Sequence, residues 1–579
     1  MGVKANSAGT SSRRILTLVL IAVALLAVGL FSGCAESAVM PDYSTDELFF
    51  IGIRNGTDRR YISPWADEEG NYYCFLPSHA DLKELEIYFD PSAELYINNA
   101  RQKNGSTLKN LKLNTAYGFS CGEKSASLTF LKSENTPTVY IDLFSRSLQE
   151  LEKCKRDTEP ARTALIDGSG TVLYENPVFT DELGGRGNSS WNLKKKPYKL
   201  KLAVASDLLG MGSARKWILL ANGYDETDLR DKLVYDMAAK LSPNWSPQCE
   251  YVDLYVNGEY RGLYLLSEKV EVSKNRLRIP SDSCLYEVKS KNRWQKDETG
   301  IKLKSGKELL IDWPEPVTEE KAKELKKRLQ AVENVILSED SGETLKDYID
   351  LDSWARKYLI DEVFLNRDGE DFSAYFYWGS NADGASERLY AGPIWDFDLA
   401  IGNVNSKWTV LWDVPNRLLS HCTLWYGALM QNEVFRSRVI ELYREEVRPM
   451  LIELQTDTID RLFDSLTPEA VMNGIRWAGL LPRSFTDREE AKDAMKKFLQ
   501  ERTAFLDSVW LESDAYSYVE VNGTGETPYY FEVESGTPFE QFALVEAAEG
   551  EKAVWYDSES GKVFDSTQPI MKDTVIRIG

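Results

Sequence analysis

The chain has 579 residues, of which 43% are hydrophobic and 28% charged, and its formal net charge is −22. A globular chain of this length holds about two to four domains. Its acidity argues against nucleic acid or an anionic membrane face as the main partner, because phosphate backbones require a basic patch. It contains two histidines, His79 and His421, which argues against a histidine-based triad or zinc centre.

Residues 1–40 read as an export segment. Lys4, Arg13 and Arg14 precede the apolar run Ile15 to Phe31, and Ser32-Gly33-Cys34 follows. Cys34 after Ser-Gly resembles a lipobox, in which the thiol is lipidated and becomes the mature N-terminus. Phe31 stands where leucine is usual, and an uncleaved transmembrane anchor is the alternative. Either way the body is expected outside the cytoplasm, held to the cell membrane. The six other cysteines permit disulfides, and Cys74 with Cys121 is a plausible pair because both fall in the first domain.

Residues 41–136 read as a β-sandwich: short runs such as Leu48–Ile53, Tyr72–Leu76, Leu85–Phe89 and Ser127–Leu131 alternate with turn signals including Asn55-Gly56 and Asn104-Gly105. A second domain, residues 137–512, opens with the strand Pro137–Asp142 and a charged helical stretch over Ser147–Arg156. Its glycine-rich turn, Gly184-Gly-Arg-Gly-Asn-Ser-Ser-Trp191, presents Arg186 and Asn188 and feeds a basic strand. Lys199 and Lys201 share one face of that strand. Lysines on a solvated face do nothing special, whereas beside a nucleotide they would neutralise phosphate. Leu229, Leu233, Met237 and Leu241 mark one face of a helix capped by Thr227 or Asp228. A hairpin over Tyr251–Ser267, turning at Asn257-Gly258, ends in Glu268-Lys-Val-Glu271. Helices follow from Thr318, over about 352–365, and then near 434–454, 465–478 and 487–511. Residues 513–579 form a small β-rich, β-grasp-like domain.

The chemistry is expected in Asn366–Asn403. Ser373–Trp378 is a strand, Gly379–Gly384 a turn, and Arg388–Trp395 the return. Asp368 precedes the first strand while Asp396 and Asp398 follow the second, so an antiparallel hairpin gathers them at its open end, with Asp371 nearby. Trp395, Phe397, Leu399 and Ile401 alternate with the acids, which predicts a half-buried strand closed by Gly402. Carboxylates gathered this way repel unless a cation sits among them, and Mg²⁺ bound by one or two carboxylates plus phosphate fits. Solvated turn acids are the plain alternative.

Several motifs together resemble the CotH family: Gly185–Trp191 with Lys195–Lys201, Leu229-Arg-Asp, Val256–Tyr264, Ser267-Glu-Lys-Val and Pro393-Ile-Trp-Asp-Phe-Asp398. The resemblance covers residues 137–512. It implies an α+β multidomain protein whose core has an atypical protein-kinase-like fold, using ATP with Mg²⁺ or Mn²⁺ to phosphorylate protein hydroxyls at the cell surface. It further implies that Asp368 is the catalytic aspartate and that Asp396 or Asp398 binds metal. Ser373 then stands where a second metal ligand is often asparagine. Lys199 or Lys201 would contact phosphates, Lys201 being preferred, and Glu268 to Val270 would meet adenine. The helical glutamate that usually pairs with the lysine has no evident counterpart, with Asp236 the only substitute. Two other readings remain: an inactive kinase-like adhesin or scaffold, and, without a nameable sugar groove, a glycosidase.

Overall fold

The structure is a computed structural model that describes residues 48–578 apart from 57, 243–244, 296–297, 339–340, 367, 380–386, 404–414, 483–484, 486, 513–515, 523–528, 542–553 and 573. The export segment with Cys34, and the hairpin tip after Gly379, therefore lie outside the described residues. Among the described residues no helix is long and apolar enough to cross a membrane. The chain divides into two compact units. One runs to Asn135 and takes in Asp167–Thr171 and Asn257–Tyr260; the other holds Thr136–Ile166, Val172–Val256 and everything from Arg261 onward.

The first unit is made of two sheets. One has the strand order Asp58–Ile62, Phe50–Asn55, Glu86–Tyr88, Ser106–Thr107. The other runs Trp65–Ala66, Tyr72–Leu76, Lys124–Lys132, Ala116–Cys121, Leu95–Ile97, Ala100–Arg101. The proposed Cys74–Cys121 disulfide does not form. Cys74 pairs in register with Phe130 and Cys121 with Lys124, so the whole strand Lys124–Lys132 lies between them. Two strand spacings are about 10 Å, beyond the reach of an S–S bridge.

The second unit opens with a seven-stranded closed barrel. Its order is Thr138–Leu143, Thr158–Ile166, Val172–Gly185, Tyr198–Asp207, Ser213–Leu220, Glu259–Glu268 and Cys249–Val256, the last strand closing in parallel on the first. Period-two alternation explains its lining: Tyr198, Leu200 and Leu202 are buried with Trp217, Leu219, Val252 and Leu254, which turns Lys199 and Lys201 to the opposite face. The expected helix over 147–156 is reduced to one turn, Leu148–Leu151, closed by a Ser147–Glu150 capping box. Leu148 and Leu151 are its only apolar anchors between the first and second strands of the barrel.

Beyond the barrel stands a five-stranded sheet in the order Gly300–Lys302, Glu308–Trp313, Leu285–Val288, Tyr375–Gly379, Arg388–Ala391. Helices share one apolar core with it: Arg230–Leu241, Glu319–Ile336, Leu351–Val363, Leu424–Gln431, and Arg488–Trp510. The helix from Arg230 buries Leu233, Met237 and Leu241 as its spacing predicts, but Leu229 rather than Thr227 or Asp228 occupies its cap position. A four-stranded C-terminal sheet pairs its first and last strands, Tyr516–Asn522 and Thr574–Ile578, in parallel.

The acidic hairpin forms, with Phe376 opposite Ala391 and Tyr377 opposite Tyr390. The strand expected to run on through 401 does not. Pro393 lacks a ladder donor, and Asp396 and Ile401 take left-handed backbone (φ +69° and +55°), which ends extended structure. The freed amides bond elsewhere: Phe397 N–H donates to the Asp231 carboxylate at 2.9 Å, and Ile401 N–H to the Phe364 carbonyl at 2.8 Å.

Candidate active site

A cleft of about 1000 Å³ lies in the second unit between the barrel and the acidic hairpin. Its barrel wall carries Arg186, Asn188, Lys199, Lys201 and Lys216. Lys269 and Val270 add to this side; Asp368, Asp371, Ser373, Asp396 and Asp398 face it, with Arg293 over the Phe372 ring among them. Among the described residues of the lining six cations meet six carboxylates, and most of the cations gather on the barrel wall.

The barrel wall follows from its glycines. Gly187 takes φ +87°, and its carbonyl accepts from Lys155 Nζ at 2.6 Å, so the turn folds tightly ahead of the basic strand. Gly184 lies opposite Lys199 in register, and a Cβ there would stand 2.7 Å from Lys199 Cε. The missing side chain is what lets the lysine stem cross the strand. Lys201 bonds Glu182 directly opposite at 2.8 Å, whereas among the described residues no carboxylate pairs with Lys199. The Arg186 guanidinium sits 5.3 Å from the Trp395 ring centroid, and so joins the glycine-rich turn to the acidic loop.

Val270 lines the cleft and Glu268 does not. Glu268 is buried in an ion pair with Arg276 and accepts from Gln248 N–H at 2.9 Å. Burial pushes its carboxyl up to about 7, against the pull of Arg276. Asp236, the only substitute for the helical glutamate, pairs with Lys232 at 2.9 Å and is absent from the cleft lining.

On the acid wall, Asp368 follows directly from the helix Leu351–Val363. Its N–H donates to Asn366 Oδ1 at 3.2 Å, and Asn366 Nδ2 donates in turn to Asp361 Oδ1 at 3.1 Å. Asp361 is fixed by Lys357 at 2.6 Å and by the Tyr426 hydroxyl at 2.8 Å. Ser373 (φ +52°) donates from Oγ to Asp396 Oδ2 at 3.0 Å, and Asn403 Nδ2 holds the Asp398 carbonyl at 2.6 Å. Burial raises the Asp398 carboxyl well above its ordinary value, and Asp396, Asp231 and Asp368 raise it further. Burial and Asp396 likewise lift Asp231 to about 7.

Asp231 is the acid that the sequence reading passed over. It sits in the first turn of the helix Arg230–Leu241, and the Leu229-Arg-Asp motif was the available signal. Among the described residues, no group of three or more Asp, Glu, His or Cys side chains is placed to enclose a metal by itself. The donor set nevertheless fits a hard cation completed by phosphate and water: it consists of oxygens, and the buried carboxylates repel one another.

Residues 183–506 match the family model described as CotH kinase protein, which is more than half of the chain. The chain belongs to the CotH family. The matched region includes the glycine-rich turn, Lys199, Asp231, Asp368 and both hairpin aspartates, so each wall of the cleft falls within what defines the CotH family here. No curated protein matches the chain.

Proposed function

We propose that this CotH-family chain is an extracytoplasmic protein kinase that transfers the γ-phosphate of ATP to serine or threonine hydroxyls of a surface protein, with Mg²⁺ or Mn²⁺. The kinase-like core, the lipid anchor at Cys34 and the protein acceptor are parts of this proposal. The observation that carries it is the facing of two walls in one cleft: cations on a glycine-rich turn and strand opposite Asp368, Asp396 and Asp398.

ATP with its cation would supply the transferable phosphoryl group and neutralise the charge that develops on it. Arg186, Lys199 and the amides of the glycine-rich turn would hold the phosphates. Lys199 takes this role ahead of Lys201, whose ammonium is already bonded to Glu182. Asp396 and Asp398, with the Ser373 hydroxyl beside them, would hold the cation. Asp368 would orient the acceptor hydroxyl and take its proton as the new O–P bond forms and the bond to the leaving oxygen breaks. Val270 would pack on the purine.

The test is a thermal-shift titration with ATP and Mg²⁺ or Mn²⁺, run beside transfer of labelled phosphate to a generic protein acceptor. Wild type should show both. Asp368→Ala should keep the shift and lose transfer, and Asp396→Ala should lose the metal-dependent shift. No shift with any metal would sink the proposal. A shift without transfer would favour an inactive nucleotide-binding protein, a reading supported by Ser373 at the second-metal position.

A further inference from the structure

Of the cleft carboxylates with no part in this scheme, Glu182 is paired with Lys201 and Asp371 with Lys307, which leaves Glu287. Glu287 lies on the strand Leu285–Val288, directly opposite Tyr375 in the antiparallel pair, and faces the cleft. Tyr375 belongs to an apolar cluster with Val270, Leu285 and Tyr377, so Glu287 borders the flat, apolar part of the pocket. Among the described residues, nothing hydrogen-bonds or pairs with its carboxylate. The nearest cations are Lys289 and Lys269, and Lys289 already bonds Glu298 at 3.1 Å. A surface glutamate on a strand ordinarily needs no partner. This one is largely withdrawn from water, which lifts its carboxyl to about 7, with Lys289 opposing. A half-buried acceptor that opens on the cleft and has no protein donor among the described residues is free to take one from a ligand.

We infer that Glu287 is a nucleoside-reading residue, its two carboxylate oxygens accepting hydrogen bonds from the 2′- and 3′-hydroxyls of the ribose. The inference rests on the nucleotide reading of the cleft. Phosphate is excluded as the partner by like charge, and Lys199 and Arg186 serve it elsewhere in the cleft. A vicinal diol presents two neighbouring O–H donors, which match a bidentate acceptor beside an apolar wall that suits a base. Discrimination then comes from leaving that acceptor unmatched when a hydroxyl is missing.

The experiment is isothermal titration of the full-length chain with MgATP, its 2′-deoxy and 3′-deoxy analogues and inosine triphosphate, for wild type, Glu287→Ala and Glu287→Gln. Wild type should bind ATP about tenfold tighter than either deoxy analogue. Glu287→Ala should abolish the discrimination, binding ATP and both deoxy analogues with one common affinity, the signature of a direct pair. The isosteric Glu287→Gln should give the same direction with a smaller loss, and it covers the case in which the alanine variant unfolds. Equal wild-type affinity for ATP and both deoxy analogues would overturn the inference and leave nucleotide binding standing. Discrimination against inosine triphosphate alone would assign Glu287 to the base and overturn the diol. Failure of wild type to bind any of the nucleotides would remove both the inference and the reading beneath it.

Discussion

Asp368 and Glu370 are two residues apart, yet one lines the cleft and the other is enclosed by the protein. Glu370 is fully enclosed and fully answered: Lys307 pairs with it at 3.3 Å, and the amides of Trp425 and Tyr426 donate at 2.6 and 3.0 Å. Glu362 is treated the same way, by Arg502, the amides of Leu419 and Ser420, and the Tyr358 hydroxyl. Asp231, Asp396 and Asp398 are not. Asp231 receives one backbone amide and Asp396 one serine hydroxyl, and among the described residues no donor reaches the Asp398 carboxylate. Two saturated glutamates beside a group of aspartates facing one another are what the cation binding proposed above requires.

The sharpest way to break this contrast is at Asp368. Asp368→Ala should lower phosphate transfer about a thousandfold, the range of a lost general base, with an unchanged circular dichroism spectrum. A loss of folding instead would move Asp368 to the structural set. Glu362→Ala should act in the opposite way. It strands Arg502 without a counter-charge and should cost about 3–5 kcal/mol in urea unfolding.

Asp398→Asn separates the sets by sign. A carboxyl whose pKa is higher folded than unfolded binds its proton more tightly in the folded chain. Stability therefore falls as pH rises from the unfolded value of about 4 towards the folded one. Asp231, lifted to about 7, and Asp398, lifted well above its ordinary value, both work in this direction. In EDTA, Asp398→Asn should be more stable than wild type by about 1–2 kcal/mol above pH 7, and the gap should close towards pH 4. A destabilised variant at pH 8 would show that Asp398 has a structural partner. The smallest effect belongs to Lys201→Ala, which breaks a half-exposed pair and should change unfolding by under about 1 kcal/mol. Lys199→Ala should leave stability equally unchanged while weakening ATP binding about tenfold.

The sequence brings Asp368, Asp396 and Asp398 into view because aromatic strands and turn formers bracket them, and that pattern is local. It does not reveal that Asp396 and Ile401 turn left-handed, since the cause is tertiary: amides of this loop bond Asp231 and Phe364. Periodicity puts Lys199 and Lys201 on one face with equal standing, and only the register that sets Glu182 against Lys201 separates them. For the same reason Glu268 reads as a free acid beside Val270, because its partner Arg276 is brought to it by the fold. The helix from Arg230 is legible through its leucines. The leucine face does not reveal that its first turn is itself enclosed, and Asp231 is missed on that account.

Gly184 has no side chain to offer the cleft it lines, yet Lys199 Cε, Thr158 Cγ2 and the Asp157 carbonyl all stand within 3.0 Å of where its Cβ would be. Its backbone φ is ordinary, so only the missing volume matters. The lysine end can swing aside but the Asp157 carbonyl is backbone and cannot, so in any chain that diverges from this one a side chain at 184 has to spread the strands that bring Lys199 to the cleft.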